Sequence, residues 1–113
     1  MDIVVPMPPA VFHILTVLAQ SDQHGYAILR AVREQTGGRV RLGPGTLYRS
    51  IQRMLEDGLI EELDDRPDPE LDDERRRYYR ITRVGRTAAR AEAKRLADLV
   101  DLARASGLAP HRA

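Results

Sequence analysis

Hydrophobic residues recur at helical spacing in four segments of the chain. In the third segment, Leu47, Ile51, Met54 and Leu55 form one apolar stripe, which predicts a helix over residues 46–57. The same kind of pattern predicts helices over residues 10–20, 26–35 and 82–105. Two shorter runs rich in Ile, Leu and Tyr, residues 59–63 and 77–81, predict strands that pair as a hairpin.

Two further segments change this picture. Residues 21–23 read as a turn, and residues 39–42 alternate apolar and basic positions, which predicts a short strand before the third helix. In the second strand of the hairpin, alternation places Tyr79 and Ile81 inward, and Tyr78 and Arg80 outward. Thr82 is a suitable N-cap for the last helix, and Gly85 is tolerated in its first turn.

This order of elements predicts a mainly α fold with a small β-hairpin, the winged helix-turn-helix, followed by a long C-terminal helix. We assign residues 1–81 to the winged helix-turn-helix domain and residues 82–113 to a dimerisation helix and tail. A helix of about 24 residues spans about 36 Å, which is too long for a small three-helix core.

Part of the last helix should therefore project and pair with a second copy of the chain. The first helix is apolar nearly all round, so it is expected to close this interface. A monomer in which the last helix folds back is the alternative. The predicted interface residues are Val11, Ile14, Leu15, Leu96, Leu99, Val100, Leu102 and Ala103.

Length and composition exclude several classes of protein. A chain of 113 residues forms one domain of ordinary size, and the absence of cysteine excludes disulfides, thiolate catalysis and cysteine-bound zinc. No apolar run approaches the roughly 20 residues of a membrane span, and no signal peptide is recognised, so a cytoplasmic location is expected. His13, His24 and His111 share no metal-binding spacing, and no catalytic motif occurs, so we predict no metal, cofactor or enzymatic activity.

The net charge of +1 hides a separation of charge along the chain. Residues 61–74 contain nine acidic residues and one base, Arg66, whereas the other 99 residues carry 17 bases and eight acids. All the bases except Lys94 are arginine, whose planar guanidinium group suits phosphate. The basic part of the chain is therefore compatible with a polyanionic partner.

Four motifs occur in order: His24-Gly25-Tyr26, residues 43–48 (GPGTLY), residues 55–60 (LEDGLI), and residues 77–82 (RYYRIT) with Gly85. Together they resemble the PadR family of transcriptional regulators, over residues 9–102. The single C-terminal helix is similar to the small subgroup of that family, which forms dimers through this helix and the first one. The resemblance implies a DNA-binding repressor, often responsive to a small ligand or to stress.

In a winged helix-turn-helix protein, the recognition helix places side chains from its N-terminal half in the major groove. Here that helix is the third one, and Arg49 is the best candidate for a bidentate contact to guanine. A palindromic operator in double-stranded DNA is the expected partner, with the two major grooves about 34 Å apart. The candidate DNA-binding residues are Thr46, Tyr48, Arg49, Ser50 and Arg53, together with Arg75, Arg76 and Arg77 on the wing.

Several alternatives stay open. Tyr48 is either a phosphate contact or a half-buried packing residue, and His24 is a capping residue rather than a ligand. The acidic segment 61–74 either folds away from DNA, pairs with the chain's own arginines, or weakens non-specific binding. The whole protein is alternatively a protein-interaction module that uses this segment. A small-molecule effector could occupy a cavity between the first and last helices, although a dry packed interface is an equal alternative.

Overall fold

Four helices and a small antiparallel sheet make up the part of the chain that the computed structural model describes, residues 5–63 and 77–110. The mainly helical winged fold predicted from the sequence is confirmed. The elements, in order, are α1 (Pro9–Leu18), β1 (Gln23–His24), α2 (Gly25–Gln35), α3 (Pro44–Glu56), β2 (Ile60–Glu62), β3 (Tyr78–Ile81) and α4 (Arg83–Ala105).

The sheet has the strand order β1-β3-β2, and both pairings are antiparallel. In the β2–β3 hairpin, Ile60 lies opposite Ile81 and Glu62 lies opposite Tyr79. Tyr79 and Ile81 are buried and Arg80 is exposed, which confirms the predicted alternation. The predicted hairpin is therefore present, with its register set by the burial of one face.

The predicted strand over residues 39–42 was wrong, and the third strand lies elsewhere. Residues 39–42 are extended but pair with no strand, because Val40 and Leu42 pack against the core instead. The third strand is β1, in the segment that the sequence indicated as a turn. Gln23 and His24 pair there with Tyr79 and Tyr78, and so cover the second edge of β3.

The helix termini follow from local sequence. Pro44 begins α3 two residues earlier than predicted, because its ring suits the first helical turn and Gly43 enters it in an extended conformation. Thr82 caps α4 as predicted: its hydroxyl oxygen accepts a hydrogen bond of 3.0 Å from the N–H of Gly85.

Helix α1 lies at the centre of the hydrophobic core and packs against α2, α3, α4 and β3. The seven largest fully buried side chains come from the first three helices: Ile14, Leu15, Leu18, Ile28, Val32, Leu47 and Met54. These contacts fix α3 against α1 and α2, so one side of α3 is held in the core and the other faces solvent.

Only the first half of α4 packs on this core. Its buried residues are Gly85, Ala88 and Glu92, whereas Leu99 and Leu102 are 49% and 63% exposed. Helix α4 has 23 residues, a length of about 34 Å at 1.5 Å per residue. Its second half therefore extends beyond the core and leaves apolar side chains in contact with solvent.

Candidate nucleic-acid interface

Helix α3 has two chemically different sides. Leu47, Ile51 and Met54 are buried, and they hold the helix on the core. Thr46, Arg49 and Arg53 are exposed on the opposite side, and Ser50 between the two sides is half-buried. The structure therefore brings the predicted residues of this helix together on one surface, and that surface is basic.

The guanidinium group of Arg49 lies over the first turn of α3. Its Nη2 is 3.5 Å from the Thr46 hydroxyl oxygen, at the limit of a hydrogen bond. Its Nη1 would be 3.2 Å from a side-chain carbon at Gly45, so the glycine leaves room for this arrangement. Arg49 is thus held near the helix N-terminus, where anions are favoured, by contacts weak enough to exchange for a stronger acceptor.

Arg53 is less free than Arg49. Its Nε lies 3.4 Å from the Asp57 carboxylate in an exposed i, i+4 pair. Such surface pairs contribute only about 0.3–0.5 kcal/mol, so the pair does not prevent Arg53 from contacting a phosphate.

Tyr48 joins α3 to the beginning of α2. The side chain is half-buried, and its hydroxyl oxygen would lie 3.3 Å from a Cβ atom at Gly25. The packing interpretation of the ring is therefore correct, and the phenol edge still reaches the surface. His24 is a capping residue, as predicted: its Nδ1 accepts a hydrogen bond of 3.1 Å from the N–H of Ala27.

The base of the wing is held by ion pairs. Arg77 is half-buried, and its Nε lies 3.4 Å from the carboxylate of Glu62 on the neighbouring strand. Arg80 points outward, and its Nη2 donates to Asp22 at 3.0 Å. Arg75, Arg76 and the acidic segment from residue 64 onward lie outside the described residues.

The predicted interface residues fall into two groups. Val11, Ile14 and Leu15 are buried in the chain's own core, the last two with no exposed surface. We therefore remove these three from the interface assignment, because α1 uses that face to pack against its own domain. The residues that offer exposed apolar surface are Leu99, Val100 and Leu102, while Leu96 and Ala103 are half-buried.

A buried carboxylate on α4 is an important contact that the sequence analysis missed. Glu92 is 2% exposed and accepts hydrogen bonds from Nε and Nη2 of Arg95 at 2.7 and 2.8 Å. These bonds lower the pKa of Glu92, burial opposes the change, and the main-chain N–H of Met7 lowers the pKa further. The signal was available: Glu92 lies four residues from both Ala88 and Leu96, on the apolar stripe of the helix.

Two further searches of the described residues were negative. Within residues 5–63 and 77–110, no three His, Asp or Glu side chains are grouped so that they could hold a metal ion. Over the same ranges, every helix is too short or too polar to cross a lipid bilayer.

Comparison with curated proteins gives two partial matches. The chain is 34% identical over 86 residues to an uncharacterized 37.1 kDa protein in transposon TN4556 of Streptomyces fradiae, which covers 76% of this chain and 22% of that protein. It is 34% identical over 47 residues to the transcriptional regulator YqjI of Escherichia coli, which covers 42% of this chain and 23% of that protein. The chain thus spans less than a quarter of the length of these relatives.

Solved structures show the same fold. A transcriptional regulator from Clostridium thermocellum superposes with a TM-score of 0.71 at 24% identity, over 84% of this chain and 86% of that one. A PadR family transcription regulator from Clostridium difficile superposes with a TM-score of 0.71 at 23% identity, over 86% of this chain and 96% of that one. The family model of the PadR-like transcriptional regulators matches residues 14–91. The chain therefore belongs to the PadR-like family of transcriptional regulators.

Proposed function

We propose that this regulator binds DNA sequence-specifically and that α3 enters the major groove. The observation that carries the proposal is the exposed side of α3, where Thr46, Arg49 and Arg53 lie opposite the buried Leu47 and Met54. A helix held in the core by one face can present the other face rigidly to base edges. In this arrangement, Arg49 contacts a base and Arg53 contacts a phosphate, with Thr46 and Ser50 beside them.

We further propose that the regulator acts as a homodimer formed by α4. The exposed Leu99, Val100 and Leu102 support this, because a projecting helix with solvent-exposed apolar residues gains stability when a second copy covers it. Two copies would present two α3 helices to successive major grooves of a palindromic operator.

Repression, and release by a small molecule, are further parts of the proposal that follow from the family resemblance. A reporter gene placed behind the operator tests the sign of regulation: expression should rise when the regulator is deleted. Loss of expression on deletion would instead identify an activator.

Selection from a pool of random duplexes tests DNA binding directly. We expect enrichment of an approximately palindromic sequence with half-sites one helical turn apart, about 10–10.5 base pairs. Fluorescence anisotropy with the selected duplex should then show affinity that falls steeply as salt rises. No enriched sequence, together with equal affinity for selected and scrambled duplexes at low salt, would overturn the proposal and favour the protein-interaction alternative.

A further inference from the structure

We infer that Arg39 and Arg41, in the loop between α2 and α3, bind backbone phosphates beside the groove that α3 enters. The inference rests on the proposed DNA binding and adds two contacts to those predicted on α3 and the wing. It gives a role to the alternating segment 39–42, which forms no strand in the structure.

The segment is held in place by the core and by hydrogen bonds. Val40 and Leu42 pack against the core, whereas Arg39 and Arg41 are exposed, so alternation directs both arginines to solvent. The hydroxyl oxygen of Thr36 accepts a hydrogen bond of 3.1 Å from the N–H of Val40. The arginines are therefore carried by an ordered backbone, which reduces the entropy that a phosphate contact must overcome.

The same segment leads directly into the proposed recognition helix. Arg41 is two residues before Gly43, the N-cap of α3. At 3.8 Å between consecutive Cα atoms at most, its Cα lies within about 11 Å of the first residue of the helix. A long arginine side chain at this distance can contact the backbone of a duplex whose groove α3 occupies.

The local charge favours an anion from outside the chain. Residues 35–55 contain four arginines and no acidic residue. Within residues 5–63 and 77–110, neither Arg39 nor Arg41 has a carboxylate within ion-pair distance, whereas Arg77, Arg80 and Arg95 are each paired. A guanidinium group is weakly hydrated and matches the geometry of phosphate, so a polyanionic backbone is the partner that this surface fits.

The test compares two double variants that remove the same charge from different places. Arg39→Ala/Arg41→Ala removes the proposed contacts. Arg83→Ala/Arg90→Ala removes two exposed arginines from α4 and serves as the control. Affinity for the selected duplex and for a scrambled duplex is measured by anisotropy at several salt concentrations, and circular dichroism melting verifies that each variant is folded.

We expect the first variant to reduce the slope of log affinity against log salt by about 2, close to 0.9 for each lost phosphate contact. Affinity for the selected and scrambled duplexes should fall by the same factor, because phosphate contacts carry no sequence information. Arg39→Lys/Arg41→Lys should retain the wild-type slope, since lysine keeps the charge, and the α4 control should retain it as well.

Three results overturn the inference. The alanine variant keeps the wild-type slope, or the α4 control loses as much slope as the alanine variant, or only the selected duplex is bound more weakly. A wild-type protein with no preference for any duplex overturns the proposed function itself, and so is distinguished from a failure confined to these two arginines.

Discussion

Gly85, in the first turn of α4, lies directly against the main-chain carbonyl of Leu59. A Cβ atom at Gly85 would overlap the Leu59 oxygen and would lie 2.9 Å from Cγ1 of Ile81. The same oxygen accepts a hydrogen bond of 3.0 Å from the N–H of Thr82. The Thr82 hydroxyl also donates to the carbonyl of Gly58 at 2.6 Å, so α4 begins in close contact with the turn that precedes β2.

Replacing Gly85 with alanine should therefore destabilise the fold. Because the obstructing atom belongs to the main chain and cannot rotate away, we expect a loss of about 1–3 kcal/mol in the free energy of unfolding. Gly43→Ala is the matched control: a Cβ there meets nothing within 4 Å, and its change should stay within about 0.5 kcal/mol. Urea denaturation measures both variants, and equal stabilities would contradict the packing described for α4.

Arg49→Ala should weaken binding to the selected operator by about 1–3 kcal/mol and relax the preference at one base pair of each half-site. The reason is that a bidentate contact to guanine distinguishes it from the other bases. Anisotropy titrations against a panel of single-base operator variants measure both effects. Arg90→Ala, on the exposed side of α4, is the control, and an unchanged base preference in Arg49→Ala would remove this residue from base reading.

Tyr48→Phe separates the two interpretations of this side chain. The hydroxyl group forms no hydrogen bond with the residues that the structure describes, so its removal should leave the thermal midpoint unchanged. If the hydroxyl contacts a phosphate, affinity for DNA should fall by about 1 kcal/mol, roughly fivefold. Unchanged affinity in the phenylalanine variant would restrict Tyr48 to packing between α3 and α2.

Leu102→Asp should convert the proposed dimer into a monomer. The side chain is 63% exposed on the projecting half of α4, and burying an unpaired carboxylate in an apolar interface costs several kcal/mol. The dissociation constant of the dimer should therefore rise at least about a hundredfold, measured by light scattering over a dilution series. Ala97→Asp, also exposed but on the opposite side of the helix, should leave the dimer intact; a dimer unaffected by Leu102→Asp would argue against this interface.

The stability of the fold should depend on acid through Glu92. Its pKa in the folded chain lies below the ordinary value of 4.5, mainly because of the hydrogen bonds from Arg95. The charged carboxylate therefore contributes stability that is fully present above pH 4.5 and is lost as the pH falls through the folded pKa. The segment at Met7 should loosen over the same range, since its N–H donates to this carboxylate.

Glu92→Gln should accordingly be less stable than the wild type at pH 7, and the difference should shrink as the pH falls below 4.5. Thermal midpoints measured from pH 7 down to pH 3 follow both effects. Asp98→Asn breaks an exposed pair of 2.8 Å with Lys94 and should change little across the range. A constant difference between Glu92→Gln and the wild type at every pH would contradict the role of ionisation.

Periodicity was sufficient to predict the four helices and the β2–β3 hairpin, because each buries one face of a segment several residues long. It was insufficient for β1, since two residues show no period and Gln23 and His24 are polar. Proline and glycine signals gave the beginning of α3 within two residues. These limits reflect information that lies in the tertiary packing rather than in any local segment.

The same distinction applies to the candidate site. The contrast between the two sides of α3 was readable from Leu47, Ile51 and Met54, and the structure confirms which side is buried. The burial of Ile14 and Leu15 in the chain's own core was not readable, because an all-apolar helix does not say which of its faces meets which neighbour. Gly85 was predicted only as tolerated, since its contact with Leu59 joins segments 26 residues apart in sequence.

The ion pair between Asp22 and Arg80 connects the turn after α1 to the outer strand of the wing, and β1 pairs with β3 at the same place. The helices and the wing are therefore coupled into one rigid reading head, with little freedom to change their relative angle. An effector that controls such a protein has to act on how two reading heads are spaced and tilted. Allosteric control would then be a matter of the geometry between subunits, while the fold within each subunit stays constant.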